Sequence, residues 1–257
     1  ELQSLKQCAV SEESVVYAGD GPCIKHTCQL FIFAGVPFYD VGGGQRSSQL
    51  AKTFDKMGYE VHYIYAYESS ESTKYDLFCP TVTHVYLYSI NEEWVMKKLC
   101  GDALFIFEAP YAGFLPYLEL GKRCRTVTVY EHIDNWETSI GSLLYDKDSF
   151  QIFIRESDHL VATSVELVKQ LHGYTDKEVA YLPNAVDITV FEPGYVTEKP
   201  KDLVKGKDKT LLYFGSLWGE WFDWDLLIKT AEGCPDCSFN IIGDYAPISE
   251  RLDQFPP

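Results

Sequence analysis

Residues 39–51, YDVGGGQRSSQLA, set three consecutive glycines, Gly42, Gly43 and Gly44, ahead of a run with helical spacing. Glycine costs backbone entropy and supplies no packing, so a cluster needs a reason. A turn with positive φ is one. The other is a backbone that lies against a ligand, with the N–H groups of the next helix aimed at an anion; this stretch is read as such a ligand-facing loop. The remaining residues with chemical potential each follow an apolar run. They are Glu108; Glu131, His132 and Asp134; Thr163 and Ser164; Asn184 and Asp187; and Gly215 with Ser216. If those runs are strands of parallel sheets, every one of these groups falls at a carboxyl edge, where open α/β sheets bind ligands.

The elements that must position them alternate. Gln29–Gly35 (QLFIFAG) is continuously apolar, as a strand covered on both faces should be. Ser47–Met57 carries Leu50, Ala51, Phe54 and Met57 at helical spacing and stops at Gly58. Further strands are expected at Tyr59–Tyr67, Thr83–Tyr88, Ala103–Phe107, Arg125–Tyr130, Leu160–Thr163 and Val179–Leu182. Helices are expected at Glu92–Cys100, Ser149–Ser157 and Val165–Leu171, while EAPYAGFLP after residue 107 reads as broken by proline and glycine. This alternation specifies a doubly wound, parallel-sheet α/β domain over 29–192, preceded by an N-terminal extension (1–28) in which SVVYAG could add an edge strand. Residues 193–209 are polar and rich in lysine, a linker or hinge. One βαβ unit (Leu211–Gly215, Trp221–Ala231, Phe239–Gly243) begins a second Rossmann-like domain over 210–257, too short to bury both faces of its own sheet. With no initial methionine either, the chain is expected to be a piece of something longer.

Composition narrows the function classes. Hydrophobic residues make up 46% and aromatics 15%, enough for a sizeable core. The formal net charge of −16 and the lack of a basic stripe argue against a nucleic-acid partner. No apolar run is long enough to span a bilayer, and the first residues have neither the basic start nor the apolar centre of a signal peptide. Of the eight cysteines, only Cys234-Pro-Asp-Cys237 has metal or redox spacing, and no second pair or nearby histidine completes a zinc site. Reduced, structural cysteines and a cytoplasmic location follow.

The glycine loop fits a dinucleotide fingerprint poorly. Gly42 lies seven residues beyond Gly35, and Ser47 occupies the place of the third glycine. A longer pattern fits better. P-x(4)-GGG-x(5)-LA followed by GYEVHYI resembles the opening of the GT-B glycosyltransferases, particularly the family 4 type. VATSVELVKQL and VAYLPNAVDITVFEP (161–193) resemble that family's T-S…L-P-N-G-V-D…F-x-P stretch. TLLYFGSLWGEWFDWDLLIKTAEGCPDCSFNIIGD resembles its entry into the second domain. The likeness covers residues 29–245, in order.

The resemblance implies transfer of a sugar from a nucleotide diphosphate sugar to a glycan, lipid-linked or small-molecule acceptor, with retention of configuration. It implies no cofactor and no metal, the diphosphate being met by helix dipoles, and peripheral membrane contact for a lipid-linked acceptor. Gly42, Gly43 and Gly44 would approach the transferred sugar or phosphates. His132 and Asp134 take the place of a polar pair facing acceptor and sugar, against competing roles as a structural histidine and a helix N-cap ahead of Trp136. Glu108, Ser164, Asn184, Gly215 and Ser216 complete the substrate and donor contacts, although Glu108 also reads as an exposed strand-end acid and Asn184 as a brace of the crossover loop. Two departures stand out: GSLWGEWFDWD lacks the basic pair the family places there, and the family's E-x(7)-E region would fall beyond residue 257. Three competing readings remain: a non-catalytic transferase-like scaffold or glycan-binding domain, an NAD-dependent oxidoreductase, and a sugar-nucleotide epimerase.

Overall fold

A computed structural model describes residues 28–38, 45–67, 80–138, 141–188, 194, 209–215, 217 and 222–243. The chain divides into two compact units between Asn184 and Ala185. The expected edge strand at SVVYAG lies outside the described residues, as does nearly all of the linker at 193–209.

The first unit alternates as its sequence implies: β1 (Gln29–Ala34), α1 (Arg46–Lys56), β2 (Glu60–Tyr65), β3 (Thr83–Tyr86), α2 (Glu92–Lys98), β4 (Ala103–Phe107), α3 (Leu115–Cys124), β5 (Val127–His132), α4 (Lys147–Glu156), β6 (His159–Ala162), α5 (Val165–His172) and β7 (Val179–Tyr181). All six strand pairings are parallel, in the order β3-β2-β1-β4-β5-β6-β7. The direction of winding therefore reverses between β1 and β4, which opens a crevice at their carboxyl ends.

Strand alternation divides the core between two faces. Leu30, Ile32, Ala34, Val61, Tyr63, Ile106, Val129 and Val161 pack with Ala51, Leu50 and Phe54 of α1. Phe31, Phe33, Phe105, Phe107, Tyr130, Leu160 and Ala162 face the other way, toward residues of α2 through α5. That second face is a stack of rings, with Phe33 within 6 Å of Phe105, Phe107, Phe114 and Tyr117.

Three expectations need correction. The stretch after β4 holds a helix, α3, because its proline sits in the first turn, where the missing N–H satisfies nothing anyway. Gly121 lets α3 lie close on the sheet: a Cβ there would come within 2.9 Å of the Thr128 side chain. The next strand also begins two residues later than the sequence suggested. Arg125 caps α3 in the left-handed conformation (φ 57°), so β5 starts at Val127 and carries Glu131 and His132 within the sheet. Consecutive residues then point to opposite faces. Asp134 caps no helix; its Oδ1 accepts from the backbone N–H of Asn135 at 2.8 Å in a turn.

The second unit contains β8 (Lys209–Phe214), α6 (Trp224–Gly233) and β9 (Cys237–Ile242), with β8 and β9 parallel. Asp223 caps α6 through the Leu226 N–H, and the Cys237 N–H donates to the Cys234 carbonyl at the following turn. Leu212 and Phe214 are exposed on one face of β8, and Leu211 on the other.

Candidate functional site

The crevice between β1 and β4 is edged by polar groups that the sequence would normally keep in water. Glu108 directly follows β4, is 1% exposed, and is anchored by its backbone N–H on the Phe33 carbonyl of β1. Glu131, 3% exposed, comes from β5 on the α1 face. Arg46 is the first residue of α1, immediately past the glycine loop. Its Nη2 donates to Glu131 Oε1 at 2.7 Å, and its Nη1 lies 3.1 Å from both the Pro183 carbonyl and Asn184 Oδ1. Arg46 thereby ties the start of α1 to β5 and to the segment leaving β7.

The surrounding hydroxyls fix this corner. Tyr63 of β2 donates to the Val36 carbonyl at 2.9 Å, with the Ser47 hydroxyl 3.0 Å away. Ser48 donates to the Phe38 carbonyl at 2.6 Å. Ser47 and Ser48 are buried because the first turn of α1 packs against β1 and β2 rather than facing water.

Two carboxyl groups meet at this corner, and the guanidinium is bonded to one of them, Glu131. Burial pushes the Glu108 carboxyl well above the usual carboxylate range, and the neighbouring charge of Glu131 adds to it, while Ser47 and Arg46 pull the other way. Among the described residues, Glu108 Oε1, Glu131 Oε2 and Arg46 Nε are buried without a hydrogen-bond partner. Buried polar atoms are nearly always paired, so an unpaired set gathered at one sheet edge makes this corner the candidate site.

The candidate residues separate into groups. Glu108 and Asn184 join this cluster. His132 does not: it lies on the opposite face, its Nδ1 3.2 Å from the Tyr130 hydroxyl, its Nε2 3.0 Å from Gln170 Oε1, and its ring 5.3 Å from that of Phe150. Burial lowers its pKa despite the opposing pull of Gln170, Asp134 and Glu137. Asp134 is exposed beyond the strand end. Ser164 spends its hydroxyl capping α5 through the Leu167 N–H at 3.2 Å. Gly215 belongs to the second unit, where φ of 148° and a backbone bond to the Ile242 carbonyl hold the end of β8. Gly42, Gly43, Gly44 and Ser216 lie outside the described residues. Arg46 is the member that sequence reasoning passed over, and Glu131 was noted at its strand end but given no role in the site. Both were adjacent to a flagged feature, and placing β5 two residues later would have set Glu131 in phase with the buried Val129.

Two open surface grooves lie away from this corner. One, of about 230 Å³, is bounded by Leu115, Lys122 and Arg155 on α3 and α4, and the other by Tyr88, Asn91 and Tyr117. Neither is lined by a group from the cluster. No helix among the described residues is long and apolar enough to cross a membrane.

No protein-family model and no curated protein matches the chain. Solved structures do. An α-glucosyltransferase in complex with UDP-glucose and DNA containing an abasic site superposes with a TM-score of 0.58 at 16% identity, over 89% of this chain and 60% of that one. The chain thus spans less than two thirds of that neighbour's length, and the likeness is one of fold: a parallel, doubly wound, Rossmann-like α/β architecture of the GT-B glycosyltransferase type.

Proposed function

We propose that this protein transfers a sugar from a nucleotide diphosphate sugar to a glycan, lipid-linked or small-molecule acceptor. The observation that carries the reading is the buried, incompletely paired Arg46–Glu131–Glu108 cluster at the switch point of a GT-B-type sheet, directly past a glycine loop. In this reading Gly42, Gly43 and Gly44 let the backbone approach the sugar and phosphates. The first-turn N–H groups of α1, a helix with no acidic residue in that turn, favour the charge that develops on the leaving diphosphate. That leaves no role for a resident metal. Retention of configuration and a position at the cytoplasmic face of a membrane, for a lipid-linked acceptor, belong to the same proposal.

His132 and Asp134, the polar pair that the family likeness suggests, enter it as residues near the acceptor. With both His132 ring nitrogens engaged inside the protein, the hydrogen-bonding work falls to Glu108, Glu131 and Asn184. One observation favours a second reading, a transferase-like scaffold: residues 215–225, GSLWGEWFDWD, hold no lysine or arginine to meet a diphosphate.

Calorimetric titration with UDP, GDP, UDP-glucose, GDP-mannose and NAD separates these. The transferase reading expects a nucleotide sugar to bind and to be turned over with a glycan acceptor. Tight NAD binding alone would replace it with an oxidoreductase, and silence toward every nucleotide would leave the scaffold.

A further inference from the structure

The Cys234-Pro-Asp-Cys237 stretch of the second unit has the spacing of a redox motif, and its local geometry decides what that spacing can do. α6 ends at Gly233, and Cys234 leaves the helix with φ −126° and ψ 64°, as a residue before proline is driven to do. Pro235 and Asp236 form the exposed tip of a turn, which the Cys237 N–H closes by donating to the Cys234 carbonyl at 3.0 Å. A four-residue turn of this kind holds its end Cα atoms within about 7 Å of each other. Disulfides join residues whose Cα atoms are about 4.4–6.8 Å apart. Pro235 sits second in the turn, where its fixed φ is suited, so the chain keeps the two cysteines close before any bond forms.

Both cysteines are free and half-buried, beside a tip that reaches solvent. The other described cysteines, Cys28, Cys100 and Cys124, belong to the first unit, and none has a second cysteine three residues away. Among the described residues, no group of three or more His, Cys, Asp or Glu could hold a metal ion, so the pair lacks the further ligands of a structural zinc site.

We infer that Cys234 and Cys237 are a thiol pair that closes reversibly to a disulfide, with oxidised glutathione or a related small disulfide as co-reactant. One protein sulfur attacks a sulfur of the oxidant; the oxidant's S–S bond breaks, one glutathione leaves, and a mixed disulfide forms. The second protein sulfur then attacks the protein-bound sulfur, the mixed bond breaks, and the second glutathione leaves. Two protein thiols are oxidised, one external disulfide is reduced, and the two protons end on the two released glutathiones. The new bond ties the exit of α6 to the first residue of β9. This inference is independent of the transferase reading, because neither cysteine belongs to the cluster around Arg46.

The test equilibrates the whole protein with glutathione buffers of graded oxidised-to-reduced ratio, traps free thiols by alkylation and maps each cysteine by mass spectrometry. Trypsin releases both cysteines in one peptide, 230–251, which holds no other cysteine. As the ratio rises, this peptide is expected to lose the mass of two hydrogens and to take up no alkyl group. Cys234→Ser and Cys237→Ser are each expected to stop at the glutathione adduct on the remaining sulfur. The same equilibrium in urea-unfolded protein separates the turn from nearness in sequence. The native protein is expected to favour the disulfide by about tenfold, as it does when the bond fits the folded geometry. A native equilibrium constant equal to or below the unfolded one would show that the turn holds the sulfurs apart, and overturns the inference. So would a native peptide that keeps both thiols at every ratio, carries two adducts, or joins a cysteine elsewhere in the chain.

Discussion

Glu131 and His132 are consecutive residues of one strand, yet on their opposite faces of the sheet they are paired in different ways. On the α1 face, Glu131 gives one carboxyl oxygen to the Arg46 guanidinium and, among the described residues, its Oε2 is buried without a hydrogen-bond partner. On the other, His132 has a partner on each ring nitrogen and sits among Phe150 and Tyr130. Both residues are buried and titratable, so burial does not tell them apart. Unspent hydrogen-bonding capacity does. His132 spends its polar atoms inside the fold; Glu131 keeps an oxygen with which a ligand can gain something by binding.

The comparison can be broken from either side, and the largest effect belongs to the aromatic face. Phe33→Ala removes a fully buried ring from the stack and is expected to cost about 3–5 kcal/mol in urea unfolding. A loss below about 1 kcal/mol would show that this face is not what holds the sheet. Next comes Arg46→Ala, which strands Glu131 as an uncompensated buried charge and is expected to cost about 3 kcal/mol. Arg46→Lys should recover only part of that, since one ammonium cannot reach Glu131, Pro183 and Asn184 together.

The pH dependence of thermal unfolding sharpens the contrast. Burial holds His132 below its ordinary value and His62 at about 4, with the nearby Glu60 only partly offsetting the latter. The unfolded chain therefore takes up these protons first. Stability present above about pH 6.5 should fall as the pH drops toward 4. Glu108 acts with the opposite sign: its folded pKa is raised, so the stability it contributes is full below about pH 4.5 and is lost as pH rises through the folded value. Glu108→Gln should flatten the alkaline limb and leave the acid limb in place; an unchanged alkaline limb would remove Glu108 as its source. The smallest effect is Ser164→Ala, which removes the α5 cap at a cost of about 1 kcal/mol and should leave ligand affinity unchanged.

Much of this architecture was legible because strand and helix periods differ so clearly. QLFIFA and ALFIF could only be strands covered on both faces, and the strand–helix order over residues 29–182 followed from them. Misreadings came where a local signal has two meanings. Pro116 read as a breaker but serves in the first turn of α3. Arg125 read as the first strand residue but is a left-handed cap, and the strand then extends to His132, which brings Glu131 inside the sheet. The glycine loop and the polar strand ends pointed to the carboxyl edge of the sheet, where Arg46, Glu108, Glu131 and Asn184 gather. What they did not convey is the cluster itself, because this depends on contacts between residues 46, 131 and 184, far apart in the chain.

The central claim is that ligand binds on the α1 face at the switch point. Mapping backbone amide shifts of the ¹⁵N-labelled protein during titration with UDP-glucose and GDP-mannose tests it most directly. The largest perturbations are expected to cluster at Arg46, Ser47, Glu108, Glu131 and Asn184, with His132 and Gln170 scarcely moved. Perturbations centred on His132 and Gln170, with Arg46 and Glu108 silent, would contradict it.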